Sequence, residues 1–261
     1  MTNRIWKLLA LSLAVLAGSA VAHAQFYNFR PPPKGPAQDI APIDMTGYWV
    51  AIVNEDWRLR MTTPPKDDFS GVPLNKAGMA KAHEWDPRKD TMAKDACKYY
   101  GAPALMHIPE RLHITWADKD TLKIETDNGR QVRLLHFGDA QPPADSSRQG
   151  WSKAEWLFHM EGGKVASGSL KVVTTRLEPG YLRWNGVPFS GKTTLTEYFD
   201  IVTAPNGDHY MIVQSSVADP DYLTRPMITS PNFRKQKDDK GWNPENCWVP
   251  RPTDAEAIGY Q

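Results

Sequence analysis

The chain is poor in cysteine: Cys97 and Cys247 are the only two in 261 residues. Thiols that far apart lack the spacing of a zinc site, and an even number in an oxidising compartment reads as one disulfide. An excess of charge of one sign is also missing, with 31 Lys and Arg against 30 Asp and Glu. A nucleic-acid binder should show a basic excess or stripe, and neither is there, so nucleic acid is not an expected partner. The one apolar run of any length covers residues 8–18, too short to span a bilayer comfortably. H-x-H, H-E-x-x-H and facial-triad carboxylate patterns are missing, so no metal and no cofactor is expected. Ser215-Ser216 stands in a strand pattern without a G-x-S-x-G elbow, which leaves serine-hydrolase chemistry unsupported. There is no internal repeat.

What is present begins with an address. Arg4 and Lys7 precede the apolar run, and Ala22-His23-Ala24 is a small-x-small cleavage site. Residues 1–24 are expected to be a signal peptide, and the protein after cleavage to be periplasmic or secreted, without stable membrane insertion. No cysteine sits at the cleavage site, so a lipid anchor is not expected. Without Arg4 and Lys7 the count is 29 basic to 30 acidic residues. A Cys97–Cys247 disulfide would close a loop of about 150 residues, for which the chain-entropy ceiling is about 5 kcal/mol. Residues 25–41, with Pro31-Pro32-Pro33 and Pro36, read as an extended tether. Residues 42–261 read as a single domain.

Within that domain the texture is mostly β. Residues 47–61 alternate, with Trp49, Ala51, Val53, Glu55, Trp57, Leu59 and Met61 on one face, and are expected to form a first strand with Glu55 pointing inward. A helical insert follows at about 75–100. Asn75 is placed to cap one helix, and Asp86-Pro87 starts a second with a capping carboxylate and proline at the first helical position. From Arg111 onward, alternating segments separated by short turns give eight to ten antiparallel strands in all, the spacing of a barrel or sandwich. Nine of the ten Trp lie after the leader, which suits a β-rich protein or one with an aromatic-lined cavity.

Gly47-Tyr48-Trp49 at the start of the first strand resembles the G-x-W motif of lipocalins and other calycins. In those barrels the Trp closes one end of the core and a late Arg packs across it; Arg234 stands at a suitable place, and Thr196-Glu197-Tyr198 resembles their T-D-Y. The resemblance implies an antiparallel calycin-like barrel, here with a helical insert between the first and second strands. Thr46-Gly47-Tyr48-Trp49-Val50, Glu55-Asp56-Trp57-Arg58-Leu59-Arg60-Met61, Arg111–Trp116 and Thr196–Asp200 also look like signatures of an uncharacterised family of exported proteobacterial proteins. That second likeness implies export and fold but no activity.

Gly186–Thr193 satisfies G-x-x-x-x-G-K-T. A phosphate loop needs a helix after it, and Thr194 to Asp200 is β-patterned, so the segment reads as a hairpin loop and no nucleotide is expected. Asp219-Pro220-Asp221 reads as a turn rather than a calcium site. The candidate catalytic residues are Glu55, as a buried carboxylate of raised pKa, and His136, as its acid/base partner. Trp57, Arg60, His113 and Tyr198 are the candidate ligand contacts. Three functions fit these residues. One is a lipocalin-like carrier of a small apolar or aromatic molecule. Another is a cofactor-independent lyase, isomerase or hydratase on such a molecule. The last is an envelope structural protein without a pocket.

Overall fold

The computed structural model describes residues 33–252; the expected signal peptide and the start of the tether lie outside them. Nine strands form one closed barrel. In chain order they are β1 (Gly47–Ile52), β2 (Arg111–Asp118), β3 (Thr121–Thr126), β5 (Val132–His136), β6 (Trp151–Glu161), β7 (Lys164–Thr175), β10 (Thr194–Thr203), β11 (His209–Ala218) and β13 (Asn232–Lys235). Their spatial order is β10-β7-β6-β5-β3-β2-β1-β13-β11, and β10 pairs with β11 to close the ring. Eight of the nine seams are antiparallel, whereas β5 and β6 run parallel through Leu135–Ser152 and His136–Lys153. The barrel is therefore mixed rather than wholly antiparallel. The parallel seam arises because the connection 137–150 carries the chain back along the barrel before β6 begins. Short strands β4 (Asn128–Gly129), β8 (Gly180–Tyr181), β9 (Pro188–Phe189), β12 (Met227–Thr229) and β14 (Glu245–Asn246) decorate it.

The two ends differ. At the lower end lie the hairpins β2–β3, β6–β7 and β10–β11, together with the start of β1. Residues 36–46 cross this end. Ala37 and Met45 are buried, Trp156 donates its indole N–H to the Ala37 carbonyl at 2.9 Å, and Trp49 donates to the Met45 carbonyl at 2.9 Å. The packed chain thus reaches back to Ala37, into the segment read as tether. The upper end, where β1 stops and β2 starts, is closed by the insert. It contains α1 (Trp57–Met61), α2 (Lys76–His83), α3 (Pro87–Met92), a 3-10 turn (Ala96–Tyr100) and α4 (Ala102–Leu105). Asn75 caps α2 through Gly78 N at 2.8 Å, and Asp86 caps α3 through Arg88 N at 3.0 Å, with Pro87 at the first helical position.

Alternate residues of the strands fill the barrel with Trp49, Leu112, Ile114, Ile124, Leu135, Leu170, Val172, Phe199, Val213 and Phe233, each shut off from solvent. Trp49 is fully buried in this core, and the cation over its ring is Lys235, 5.4 Å from the centroid. Arg234, one residue earlier on the period of two, faces solvent. After β13 the chain returns to the upper end. There β14 pairs with β4, and a Cys97–Cys247 disulfide with Cα atoms 5.1 Å apart ties this strap to the insert.

Candidate functional site

The buried polar atoms point to one end of the molecule. Eight side-chain atoms are buried without a hydrogen-bond partner among the described residues, on Arg60, Glu110, Arg111, Arg133, Gln149 and Asn185. All six residues belong to the insert, the upper halves of the strands, or the loops that meet them. Inside the barrel beneath the cap, Arg133 makes a two-pronged pair with Glu197 at 3.2 and 2.6 Å, and Thr174 accepts from the same guanidinium at 3.3 Å. Such a pair is shut in only because each charge meets the other with hydrogen bonds.

Above this layer a cleft opens between α1, α4 and the loop after β8. Asp56, Leu59 and Arg60 come from α1 and its cap, His107 and Ile108 from the turn after α4, Leu182, Arg183 and Trp184 from the loop, and Met227 from β12. It encloses about 30 Å³, room for one or two water-sized groups. Arg60 is 5% exposed and Arg183 8%. Arg60 donates Nε–H to the His107 carbonyl at 2.7 Å, and its Nη1 and Nη2 have no acceptor among the described residues. Arg183 donates Nη1–H to the Ser70 carbonyl at 2.6 Å, with Asp56 at 3.7 Å from Nη2. His107 Nε2 lies 2.6 Å from Thr229 Oγ1. Desolvation, with Arg60 and Arg183 adding like charge, pushes the His107 pKa down to about 3, so the ring is neutral. Behind Arg60, burial beside Asp127 raises Glu110 well above the usual carboxylate range.

Several expectations are corrected here. The first strand does not run to Met61. It ends at Ile52, because Asp56 adopts a left-handed conformation (φ 47°) and starts α1. Glu55 therefore leaves the barrel register. Its two carboxylate oxygens accept from Ser230 N at 2.8 and 2.9 Å, so it pins the β12–β13 loop to the end of β1. His136 shares a face with Val132 and Leu134 as read, but that face is the outer one. Arg133 and Leu135 point inward, and His136 stacks on Trp151 at 5.9 Å. His136 pairs with Thr121 at the lower end of the barrel while Glu55 lies at the upper end, so the two do not meet.

Trp57 is 65% exposed. His113 stacks on Tyr48 at 4.2 Å on the outer wall, beside Trp242 of the strap. Tyr198 stands on the outer face of β10 between Lys171 and Gln214, half-buried. Of the candidate contacts, Arg60 alone lines the cleft. After Gly186–Thr193 comes strand β10, and the Asp219 carboxylate accepts from Ser190 N, Ser190 Oγ and Thr193 Oγ1 at 2.6 to 2.9 Å, so these donors are engaged within the chain.

His107, Glu110, Arg183 and Trp184 escape sequence reasoning. His107 and Glu110 precede a β-patterned segment, Arg183 and Trp184 end one, and pattern alone does not show which strand ends gather at one end of a barrel. No family model, curated protein or solved structure matches the chain. The reading of the site therefore rests on its own geometry.

Proposed function

We propose that this barrel is an exported, calycin-like binding protein that works in the periplasm and holds a small molecule, apolar or aromatic in its body, at the capped upper end. The observation that carries this reading is the cleft where Arg60, Arg183 and His107 stand beside Leu59, Met227 and Trp184. Apolar walls with a few convergent polar groups are the usual make-up of a ligand site. The barrel bore is filled by side chains, so binding occurs over the end of the barrel, not down its axis. The disulfide suits an oxidising compartment, and among the described residues no helix is long and apolar enough to cross a membrane. Nucleotide is not a ligand in this reading, since the GVPFSGKT segment leads into a strand.

Binding is favoured over catalysis because Glu55 and His136 lie at opposite ends, and because a His107 held neutral down to about pH 3 is a weak base. The test is native mass spectrometry of the protein purified from its own periplasm, with a thermal-shift screen of small molecules alongside. A retained adduct, released on unfolding, is the expected result. A bare mass and no stabilising compound would leave the structural-protein reading in its place.

A further inference from the structure

We infer that the group bound in the upper cleft is a carboxylate, gripped by the free edge of Arg60 with Arg183 beside it, and that the body of the ligand lies outside over the cap. This rests on the binding reading above and specifies its ligand class.

Arg60 is incompletely hydrogen-bonded. A guanidinium carries five N–H donors in a planar fork, and here only Nε–H is used. Leaving charged donors buried and unmade is costly, and a ligand oxygen pair removes that cost. Three carboxylates act on Arg60 through space, Glu55, Asp56 and Glu110, yet none hydrogen-bonds its free nitrogens. Glu55 accepts from Ser230 N, Asp56 sits toward Arg183, and buried Glu110 comes within hydrogen-bond reach of neither free nitrogen. Neutral His107 leaves the two arginines as the cations of the cleft lining. An anion from outside supplies the acceptors that these two nitrogens lack.

Size narrows the ligand group further. About 30 Å³ admits one or two water-sized groups. The two oxygens of a carboxylate fit that space and match the Nη1/Nη2 fork in plane, while a tetrahedral phosphate brings four oxygens. The remainder of the ligand must stay outside. The elements that supply Leu59, Arg60 and Met227 also turn Trp57, Met61 and Ile228 to solvent, at 65, 56 and 68% exposure. An amphipathic acid, aliphatic or aromatic, suits a buried cationic fork with an apolar rim.

The test is calorimetric titration with a panel of four- to twelve-carbon n-alkanoates and of aryl carboxylates, each paired with its neutral amide. The wild-type chain should prefer at least one acid over its amide by tenfold or more. Arg60→Met should abolish that preference, and Arg60→Lys should restore only part of it, since an ammonium lacks the fork. Circular dichroism establishes folding, and Arg183→Met, read the same way, stands in if Arg60→Met fails to fold. Acids and amides bound equally would overturn the carboxylate assignment and leave the binding reading standing. Inorganic phosphate displacing the acid at equal concentration would also overturn it, as would acid preference unchanged in Arg60→Met. No binding by any member of the panel would overturn the assignment and count against the binding reading as well.

Discussion

The two ends of the barrel are closed in opposite ways. At the lower end Trp49, Trp116, Phe137 and Trp156 pack against residues 36–46, and the buried indole N–H groups of Trp49 and Trp156 each reach a carbonyl. At the upper end Arg60, Arg133, Arg183, Glu110 and Glu197 are buried, and Arg60, Glu110 and Arg133 carry five of the unpartnered atoms. The lower end follows what stability asks of a core: apolar packing with satisfied donors. The upper end departs from that in the place where a cleft opens, and departures of this kind gather at functional sites.

The comparison can be broken at several points. The largest effect is expected at Arg133–Glu197, whose side chains are 0 and 1% exposed. Arg133→Met alone leaves a buried carboxylate unpaired and should cost about 3–5 kcal/mol in urea unfolding, while Arg133→Met with Glu197→Leu should recover most of it. A double mutant no better than the single would deny that the charge, rather than the volume, is what matters there. Next comes Cys97→Ser with Cys247→Ser, expected to cost about 2–4 kcal/mol by loosening the strap from the insert. Alkylation of both thiols in unreduced periplasmic protein would remove the premise.

Glu110 gives a smaller effect with a definite sign. In the unfolded chain it ionises near the ordinary 4.5, whereas burial and Asp127 keep the folded form protonated to higher pH. Between those two values the native state holds the extra proton, so stability falls as pH rises. Glu110→Gln should flatten that slope and raise stability at pH 7–8; an unchanged slope by denaturation across pH would count against it. Smallest is Lys192→Ala, which removes an exposed pair with Asp221 and should leave the unfolding midpoint almost unchanged. It should also leave ligand binding as it was, and saturable ATP binding lost in this variant would revive the phosphate-loop reading.

The contrast also explains what the sequence discloses. The β-rich class, the insert between β1 and β2, the caps at Asn75 and Asp86, and the disulfide are local or pairwise signals, and they hold in the structure. Residues 53–61 misled for a physical reason. Trp57, Leu59 and Met61 fit a period of two, but five residues cannot distinguish that pattern from one turn of helix, and the left-handed turn at Asp56 carries no glycine to announce it. Arg60 was legible as a candidate ligand contact from the polar run Glu55-Asp56-Trp57-Arg58-Leu59-Arg60. Its companions Arg183, His107 and Trp184 come together only when the barrel closes, because they are up to 124 residues away in the chain (Arg60 to Trp184).

The account's central claim is that ligand binds at the upper end, so the most direct measurement separates the ends by their tryptophans. Titrating the carboxylate panel into uniformly ¹⁵N-labelled protein should shift the Trp184 indole signal and the backbone amides of Arg60, His107 and Arg183. The indole signals of Trp49 and Trp156 at the lower end should stay in place. Shifts confined to Trp49 and Trp156, with Trp184 unmoved, would put the ligand at the other end of the barrel and contradict the account.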